Sequence, residues 1–285
     1  MTARAGDLFR RAVGQLAAAG IDLRDAAQDV RHLLAECLEV SPSRIHGDAA
    51  LALSPEREAR FAAWLERRRA REPVQRILGN WEFWTLELDL NADTLVPRPD
   101  SETLVRAVLA DCPDRARPLR LLDLGTGSGC LLLALLAELP EAKGLGIDKA
   151  PGAIAAARHN AQRLGMGNRA EFRTADWLEG IADRFDAIVS NPPYIPTAEI
   201  DDLAPEVSRF EPRLALDGGP DGLAPYRHLA PRIGDHLLPG GRVYFEVGQG
   251  QARPVADLLR DAFFVNIQTE RDLGGIERLV RAEKD

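Results

Sequence analysis

The segment Ser-Asn-Pro-Pro-Tyr at residues 190–194 holds side chains that could bind and activate a planar polar group. Asn191 supplies an amide oxygen that accepts hydrogen bonds, and Tyr194 supplies a flat aromatic face. Pro192 and Pro193 restrict the backbone, so the Pro192 carbonyl and the Asn191 side chain project rigidly. Two such acceptors can bind the N–H bonds of a conjugated amino group and aim its delocalised lone pair at an electrophile.

A glycine-rich turn, Asp-Leu-Gly-Thr-Gly-Ser-Gly at residues 123–129, has the composition of a cofactor-binding loop. Glycines let a ligand approach the backbone and the N–H groups that open a helix. Asp148 lies nineteen residues beyond Gly129, where an acidic side chain can bind ribose hydroxyls. The dehydrogenase pattern G-x-G-x-x-G is not met, because Cys130 occupies the third glycine position. The spacing instead resembles that of S-adenosylmethionine-dependent methyltransferases of the Rossmann-like class.

The Asn-Pro-Pro-Tyr segment resembles the motif of methyltransferases that modify a planar –NH2 group. The same motif serves adenine N6, cytosine N4 and the glutamine side-chain amide, so it leaves the substrate open. An aromatic ring at Tyr194 would pack on the plane of the amide or base and favour developing positive charge.

After residue 118 the chain alternates apolar strand-like runs with helical segments, and these elements must position both motifs. The predicted strands are 119–124, 144–148, 170–173, 187–190, 243–247, 264–268 and 279–281. The predicted helices are 131–139, 153–164, 224–238 and 252–261. This rhythm predicts an α/β fold with a largely parallel sheet covered by helices on both faces. About thirty residues rich in Pro, Asp and Gly follow Ser190, and connections of that length are usually functional or disordered.

The first seventy-odd residues predict helices. An apolar stripe at helical spacing comprises Val30, Leu33, Leu34, Cys37 and Leu38. A second helix should begin at Ser54-Pro55-Glu56, and the arginines at 67–71 suit its end or a docking surface for an acidic partner. From Trp81 the period becomes two, and Val74–Leu78 is predicted to pair with this strand across Gly79-Asn80. We therefore expect a helical substrate-recognition domain at 1–73, a β-hairpin linker at 74–95 and a methyltransferase domain at 96–285.

Further segments narrow the substrate class. The stretches at 72–79, 81–84, 95–102, 211–222 and 246–249 resemble the protein-(glutamine-N5) methyltransferases, and the resemblance runs from about residue 20 to the C-terminus. Pro97-Arg98-Pro99 followed by acidic residues is similar to the branch that modifies class 1 peptide chain release factors. The branch that acts on a ribosomal protein usually reads Pro-Arg-Ser-Pro there.

The resemblance implies a fold, a reaction and a set of site residues. It implies a seven-stranded, Rossmann-like domain that transfers the methyl of S-adenosylmethionine to the glutamine of the Gly-Gly-Gln loop of release factors, leaving S-adenosylhomocysteine. The residues it assigns to the cofactor are Gly125, Thr126, Gly127, Ser128, Gly129, Asp148, Trp177 and Asn191. The target glutamine would be gripped by Asn191, Pro192, Pro193 and Tyr194, with Asn191, Pro192 and Tyr194 catalytic. Pro97–Pro99 and 211–213 would shape the pocket, while Glu102, Arg213 and Glu246 could equally form structural ion pairs.

Composition and charge limit the alternatives. The 285-residue chain has a formal net charge of -8, of which residues 81–285 carry -10. This disfavours a stable nucleic-acid complex, and with it the alternative of an N6-adenine methyltransferase. A ribosomal-protein methyltransferase and a non-catalytic, cofactor-binding scaffold remain further alternatives. Neither the three cysteines nor the five histidines show metal-ligand spacing, and no apolar run suits a membrane span. We expect a monomeric, cytoplasmic enzyme without a metal.

Overall fold

The computed structural model of this protein describes residues 4–47 and 49–285. The chain divides into two compact units. The first comprises the chain up to Gly79 together with Pro205–Phe210, and the second comprises Asn80–Ala204 and Glu211–Asp285. The proposed three-part division at residues 73 and 95 stays a prediction.

The first unit is helical. Its helices are α1 (Ala5–Ala18), α2 (Leu23–Leu38), α3 (Pro55–Arg69), α4 (Val74–Leu78) and the short α8 (Pro205–Ser208). The apolar stripe predicted on α2 is confirmed, since all five of its residues are buried. The predicted start of α3 is also confirmed, because the Ser54 hydroxyl accepts a hydrogen bond from the Arg57 N–H at 3.3 Å.

The predicted strand at Val74–Leu78 is wrong, because this segment is helix α4. Gly79 ends the helix in a left-handed conformation, with φ of 81°, where glycine carries no steric penalty. The hairpin forms instead between β1 (Asn80–Phe83) and β2 (Leu86–Asp89), with Phe83 opposite Leu86. A five-residue apolar run is too short for its period to separate strand from helix.

Two arginines of the first unit bind one glutamate from the long connection after residue 190. Arg68, whose side chain is 6% exposed, lies 2.9 Å from Glu206 and 2.7 Å from Asp29. Arg71 binds the same Glu206 carboxylate at 2.7 Å. Burial alone would raise the pKa of Glu206, but the hydrogen bonds from Arg71 and Arg68 hold it below its ordinary value. This ion-pair cluster attaches α8 to the helical unit.

The second unit is built on a seven-stranded sheet, as predicted. Its strands are β3 (Arg120–Leu124), β4 (Lys143–Asp148), β5 (Ala170–Thr174), β6 (Phe185–Ser190), β7 (Leu237–Glu246), β8 (Phe264–Arg271) and β9 (Glu277–Lys284). The order is β5-β4-β3-β6-β7-β9-β8; β9 runs antiparallel to its neighbours β7 and β8, and the other pairs of this sheet are parallel.

Helices cover both faces of this sheet. They are α5 (Glu102–Asp111), α6 (Cys130–Glu138), α7 (Pro151–Arg163), α9 (Ala224–Ile233) and α10 (Ala252–Asp261). Along β3, Leu121 belongs to the core that α5, α6 and α7 cover, whereas Leu122 belongs to the core under α9 and α10. Helix α5 was not predicted. The helix predicted to reach Leu238 was too long, because α9 ends at Ile233 and β7 begins at Leu237.

The order of the strands reverses between β3 and β6. The chain runs outward from β3 through β4 to β5 and then returns to the other side of β3. Leu124, which ends β3, pairs with Ser190, which ends β6. The glycines of the first motif and Asn191 of the second follow these two residues directly, so the sheet brings them to the point where open α/β sheets bind ligands.

We expect Glu206→Gln to lower the stability of the first unit by about 1–3 kcal/mol, because it leaves the buried Arg68 with one carboxylate instead of two. Thermal unfolding at pH 7 measures this. Since Glu206 has a lowered pKa, its contribution is present above the ordinary glutamate pKa and is lost as the pH falls through the lowered value. The exposed Glu199→Gln is the matched control, and equal melting temperatures for both variants would contradict the expectation.

Candidate active site

A cleft of about 510 Å³ opens beyond the carboxyl ends of β3, β4 and β6. That volume lies within the range of about 300–1,000 Å³ that small-molecule sites occupy. Of the predicted site residues, eight lie in its wall: Gly125, Thr126, Gly127, Ser128, Asp148, Trp177, Asn191 and Pro193. Gly129, Pro192 and Tyr194 do not line it. The cleft therefore unites most of the two motifs.

The glycine-rich loop is tied to the end of β4. The N–H groups of Gly125 and Thr126 both donate to the Ile147 carbonyl, at 2.8 and 2.9 Å. Gly125 and Gly127 have φ of 75° and 56°, which L side chains rarely adopt. The loop thus depends on glycine for its shape and not only for the space it leaves.

Asp148 closes the loop from the opposite side. Its carboxylate accepts hydrogen bonds from the N–H groups of Gly127 and Ala150, each at 2.9 Å. Burial raises the pKa of Asp148, and these backbone donors counteract part of that effect. A carboxylate has about four lone-pair sites, so Asp148 can still accept hydrogen bonds from two ligand hydroxyls.

A second carboxyl group lies behind the loop. Asp123 is fully buried, and the Thr126 hydroxyl donates to its Oδ2 at 2.6 Å. Its Oδ1 has no hydrogen-bond partner among the described residues. Burial raises the pKa of Asp123 to about 7, with a smaller contribution from the negative charge of Asp148. A cation bound in the cleft would favour the charged form of both groups.

Trp177 gives the cleft an aromatic wall. Its φ of 54° lies in the left-handed region, which is costly for a side chain of this size. Its indole ring lies near Gly125, where an added Cβ would be 3.9 Å from the ring. The neighbouring Asp176 binds Lys149 at 2.7 Å, and both also line the cleft.

The Asn-Pro-Pro-Tyr segment is fixed at both ends. The Ser190 hydroxyl donates to the Leu124 carbonyl at 2.6 Å, which ties the end of β6 to the end of β3. The Asn191 side-chain N–H donates to the Ser101 hydroxyl at 3.2 Å. Past Tyr194, Gln251 donates to the Tyr194 carbonyl at 2.8 Å.

The side chain of Tyr194 packs behind the cleft wall and does not line the cleft. Its ring lies against Gly248, where an added Cβ would come within 3.1 Å. Burial raises the pKa of Tyr194 to about 12, so its hydroxyl stays protonated at neutral pH. Its direct contact with a substrate stays a prediction.

The long connection folds back onto the motif. The Ile195 N–H donates to the Leu216 carbonyl at 3.0 Å, and the Gly218 N–H returns a bond to the Ile195 carbonyl at 2.8 Å. Gly222 approaches so closely that an added Cβ would lie 2.3 Å from the Tyr194 carbonyl oxygen. Any other residue there would displace the motif backbone.

The predicted pocket segments 97–99 and 211–213 contact one another. Glu211, whose side chain is fully buried, binds Arg98 at 3.0 Å and accepts from the Val96 N–H at 3.3 Å. Pro97, Arg98 and Pro212 all line the cleft. Arg213 points elsewhere and pairs with Asp201 at 3.3 Å.

Asn160 was not predicted, although it holds the glycine-rich loop. This buried side chain of α7 accepts from the Asp89 N–H at 2.9 Å and donates to the carbonyls of Asp89 and Ser128, each at 3.0 Å. It therefore joins the hairpin to the loop. The sequence offers one signal for it, a lone amide on the otherwise alanine-rich buried face of α7.

Within residues 4–47 and 49–285, no group of three or more His, Cys, Asp or Glu side chains could hold a metal ion. His228 lies at the rim of the cleft and is exposed. In the same part of the chain, every helix is too short or too polar to cross a bilayer.

Comparison with known proteins agrees with this architecture. Residues 7–79 match the PrmC N-terminal domain family, and residues 101–207 match the methyltransferase small domain family. A methyltransferase from Pyrococcus furiosus superposes with a TM-score of 0.51 at 15% identity, over 81% of this chain and 99% of that one, which shows the fold alone. The second unit is thus a methyltransferase domain of Rossmann-like fold.

Curated relatives show to which family of methyltransferases the chain belongs. A release factor glutamine methyltransferase of Rhodospirillum rubrum is 48% identical over 282 residues, which is 98% of this chain and 85% of that protein. One from Cereibacter sphaeroides is 46% identical over 279 residues and 98% of both chains. The chain belongs to the family of release factor glutamine methyltransferases, and the predicted resemblance to that family is confirmed.

We expect Asn160→Ala to destabilise the second unit by about 2–5 kcal/mol, because it leaves three backbone groups of Asp89 and Ser128 without their partner. Thermal unfolding measures the loss, and amide exchange at Ser128 and Gly129 should accelerate. The control is Gln162→Ala on the exposed face of the same helix. If both variants melt together and exchange alike, Asn160 does not hold the loop.

Proposed function

We propose that this protein transfers the methyl group of S-adenosylmethionine to the side-chain amide nitrogen of the glutamine in the Gly-Gly-Gln motif of class 1 peptide chain release factors. One observation carries the proposal. The glycine-rich loop and Asn191 share one cleft, because the strands that precede them pair at Leu124 and Ser190. Membership of the release factor glutamine methyltransferase family supports the choice of substrate.

The wall residues suit this cofactor. Asp148 would accept hydrogen bonds from both ribose hydroxyls, and the indole of Trp177 would flank the adenine. Gly125 and Gly127 leave backbone open to the methionine part. The bound cofactor supplies a methyl group on a positively charged sulfur, and S-adenosylhomocysteine is the product.

Asn191 and the Pro192 carbonyl would hold the target amide. Both accept hydrogen bonds, so they can bind its two N–H bonds and turn the lone pair toward the methyl group. The nitrogen would form its bond to the methyl carbon as the carbon–sulfur bond breaks, and it would then release a proton to water. The hydrogen bonds strengthen as positive charge develops on the nitrogen, which favours the transition state over the ground state.

The first unit would dock on the release factor and supply specificity beyond the glutamine itself. Because the partner is a translation factor, the proposal includes a cytoplasmic location and a role in translation termination. It also includes a monomeric enzyme that forms no stable complex with nucleic acid. The net charge of -10 over residues 81–285 supports the last point.

Methyl transfer from labelled cofactor to purified release factor tests the proposal. We expect labelling of the wild-type factor and none of a factor whose target glutamine is alanine. Asn191→Ala should lower kcat by about 10²–10³, as the loss of one transition-state hydrogen-bonding group does elsewhere. The same motif could serve adenine, so DNA and RNA are the competing substrates. Equal or faster labelling of nucleic acid would overturn the proposal.

Asp148→Asn should weaken binding of S-adenosylmethionine by about 10–100-fold, because hydrogen bonds to a charged acceptor each contribute about 1.5–3 kcal/mol. Calorimetric titration of the cofactor measures the change. Glu141→Gln is the matched control, since Glu141 is exposed just before the same strand and does not line the cleft. Similar affinities for both variants would assign the ribose to another residue.

A further inference from the structure

Behind Asn191 lies a carboxyl group that does not reach the cleft. Glu246 ends β7 and is only 2% exposed, and it is not part of the cleft wall. The sequence left it open whether Glu246 forms an ion pair or contacts the ligand. Among the described residues Glu246 forms no ion pair, because the nearby Arg278 binds Asp272 at 3.1 Å. It also does not line the cleft, where a ligand would bind.

The neighbours of Glu246 are Ser101 and Asn191, whose side chains oppose the effect of burial on the pKa of its carboxyl group. Its Oε2 has no hydrogen-bond partner among the described residues. Ser101 is itself buried, and its hydroxyl accepts the Asn191 side-chain N–H at 3.2 Å. Ser101 and Asn191 line the cleft, so Glu246 contacts the two wall residues from behind.

The charge of Glu246 decides how the side chains of Ser101 and Asn191 are oriented. An ionised carboxylate accepts hydrogen bonds and donates none, so it must face the donors of its neighbours. Ser101 accepts from Asn191 and can therefore donate its own proton to Glu246. Both Asn191 N–H bonds then point toward the protein, which leaves the amide oxygen facing the cleft. If the Asn191 amide were flipped, its oxygen would face the Glu246 carboxylate and its N–H groups would no longer donate toward the protein.

We propose that Glu246 is a positioning residue, which acts through Ser101 and holds the Asn191 amide with its oxygen toward the target nitrogen. The inference rests on the proposed function, in which that oxygen accepts a hydrogen bond from the glutamine amide. A carboxyl group kept in a buried site without an ionic partner is costly for stability. Such a cost is typical of groups kept for function.

Protonation of Glu246 removes the preference for one orientation of the Asn191 amide. A neutral carboxyl group can donate a proton to the Asn191 oxygen, so both orientations of the amide become available. Burial raises the pKa of Glu246 to about 7, against the hydrogen bonds of Ser101 and the attraction of Arg278. The other titratable groups that face it are Asp100, Cys130, Tyr194 and Tyr226. Turnover should therefore rise with pH through about 7 in the wild-type enzyme.

The test compares Glu246→Gln with the wild-type enzyme. A glutamine offers both donor and acceptor, so we expect kcat to fall by about tenfold or more, with cofactor affinity within about threefold of wild type. The rise in kcat through pH 7 should disappear. Ser101→Ala should lower kcat in the same direction, and Ser101→Thr, which restores the hydroxyl, should recover most of it. Glu283→Gln, a partly buried residue of β9 paired with Arg242 and absent from the cleft wall, is the matched control and should change none of these.

A measurement of thermal stability distinguishes a positioning role of Glu246 from a purely structural role. Because the pKa of Glu246 is raised on folding, proton binding stabilises the folded state below the ordinary glutamate pKa, and this contribution is lost as the pH rises to about 7. At pH 8 the Gln variant should melt no lower than the wild type while turning over more slowly. A lower melting temperature together with an unchanged kcat per folded enzyme would overturn the inference.

A spectroscopic readout is independent of the substrate. The side-chain NH2 of Asn191, assigned by its loss in Asn191→Ala, should exchange slowly with solvent in the wild-type protein at pH 8 and rapidly in Glu246→Gln. If the wild type fails to methylate release factors but shows this contrast, the proposed function fails and the positioning role stands. Equal exchange in both proteins, or wild-type turnover in the variant, overturns the positioning role.

Discussion

The pairing of β3 with β6 is the constraint on which the rest of the site depends. These strands are far apart in sequence and adjacent in the sheet, because the chain first adds β4 and β5 on one side of β3 and then returns to the other. The hydrogen bond from the Ser190 hydroxyl to the Leu124 carbonyl fixes their ends to one another at 2.6 Å. A shift of register by one residue would turn Asn191 to the opposite face of the sheet. Strand pairing thus sets the positions of the glycine-rich loop and Asn191 relative to one another.

The electrostatics of the two carboxyl groups behind the cleft wall follow from burial. Asp123 and Glu246 are both buried, and in each the pKa rises to about 7 because desolvation disfavours the charged form. A cofactor with a positive sulfur would favour their ionised forms, and the ionised form of Glu246 is the one that orients Asn191. In the proposed reaction, binding of the methyl donor and orientation of the Asn191 amide would therefore be linked. The acidic balance of residues 81–285 would favour binding of the same cation and would disfavour a polyanionic substrate.

The sequence predicted the elements and motifs of this site but not the contacts that hold them. The strands around Leu124, Asp148 and Ser190 could be predicted because buried parallel strands appear as short apolar runs between helical segments. The roles of Asn160 and Ser101 could not, because each depends on hydrogen bonds to partners distant in the chain. The segment at Val74–Leu78 was misassigned because five apolar residues fit either period. Local sequence patterns thus predicted the motifs, whereas hydrogen bonds between residues distant in the chain decide how the motifs are arranged.

The long connection after Tyr194 has a further consequence. Its beginning and end belong to the methyltransferase unit, while Pro205–Phe210 belongs to the helical unit. The chain therefore passes between the units three times, after Gly79, after Ala204 and after Phe210. The last two passages lie in the connection that supplies Pro212 and Asp217 to the cleft wall. Because Arg68 and Arg71 hold Glu206 in the helical unit, a partner that displaced α8 would also pull on the chain that leads to Pro212 and Asp217 in the cleft wall. Helix α8 and the cleft wall are for that reason covalently connected through residues 205–217, and not only through the chain after Gly79.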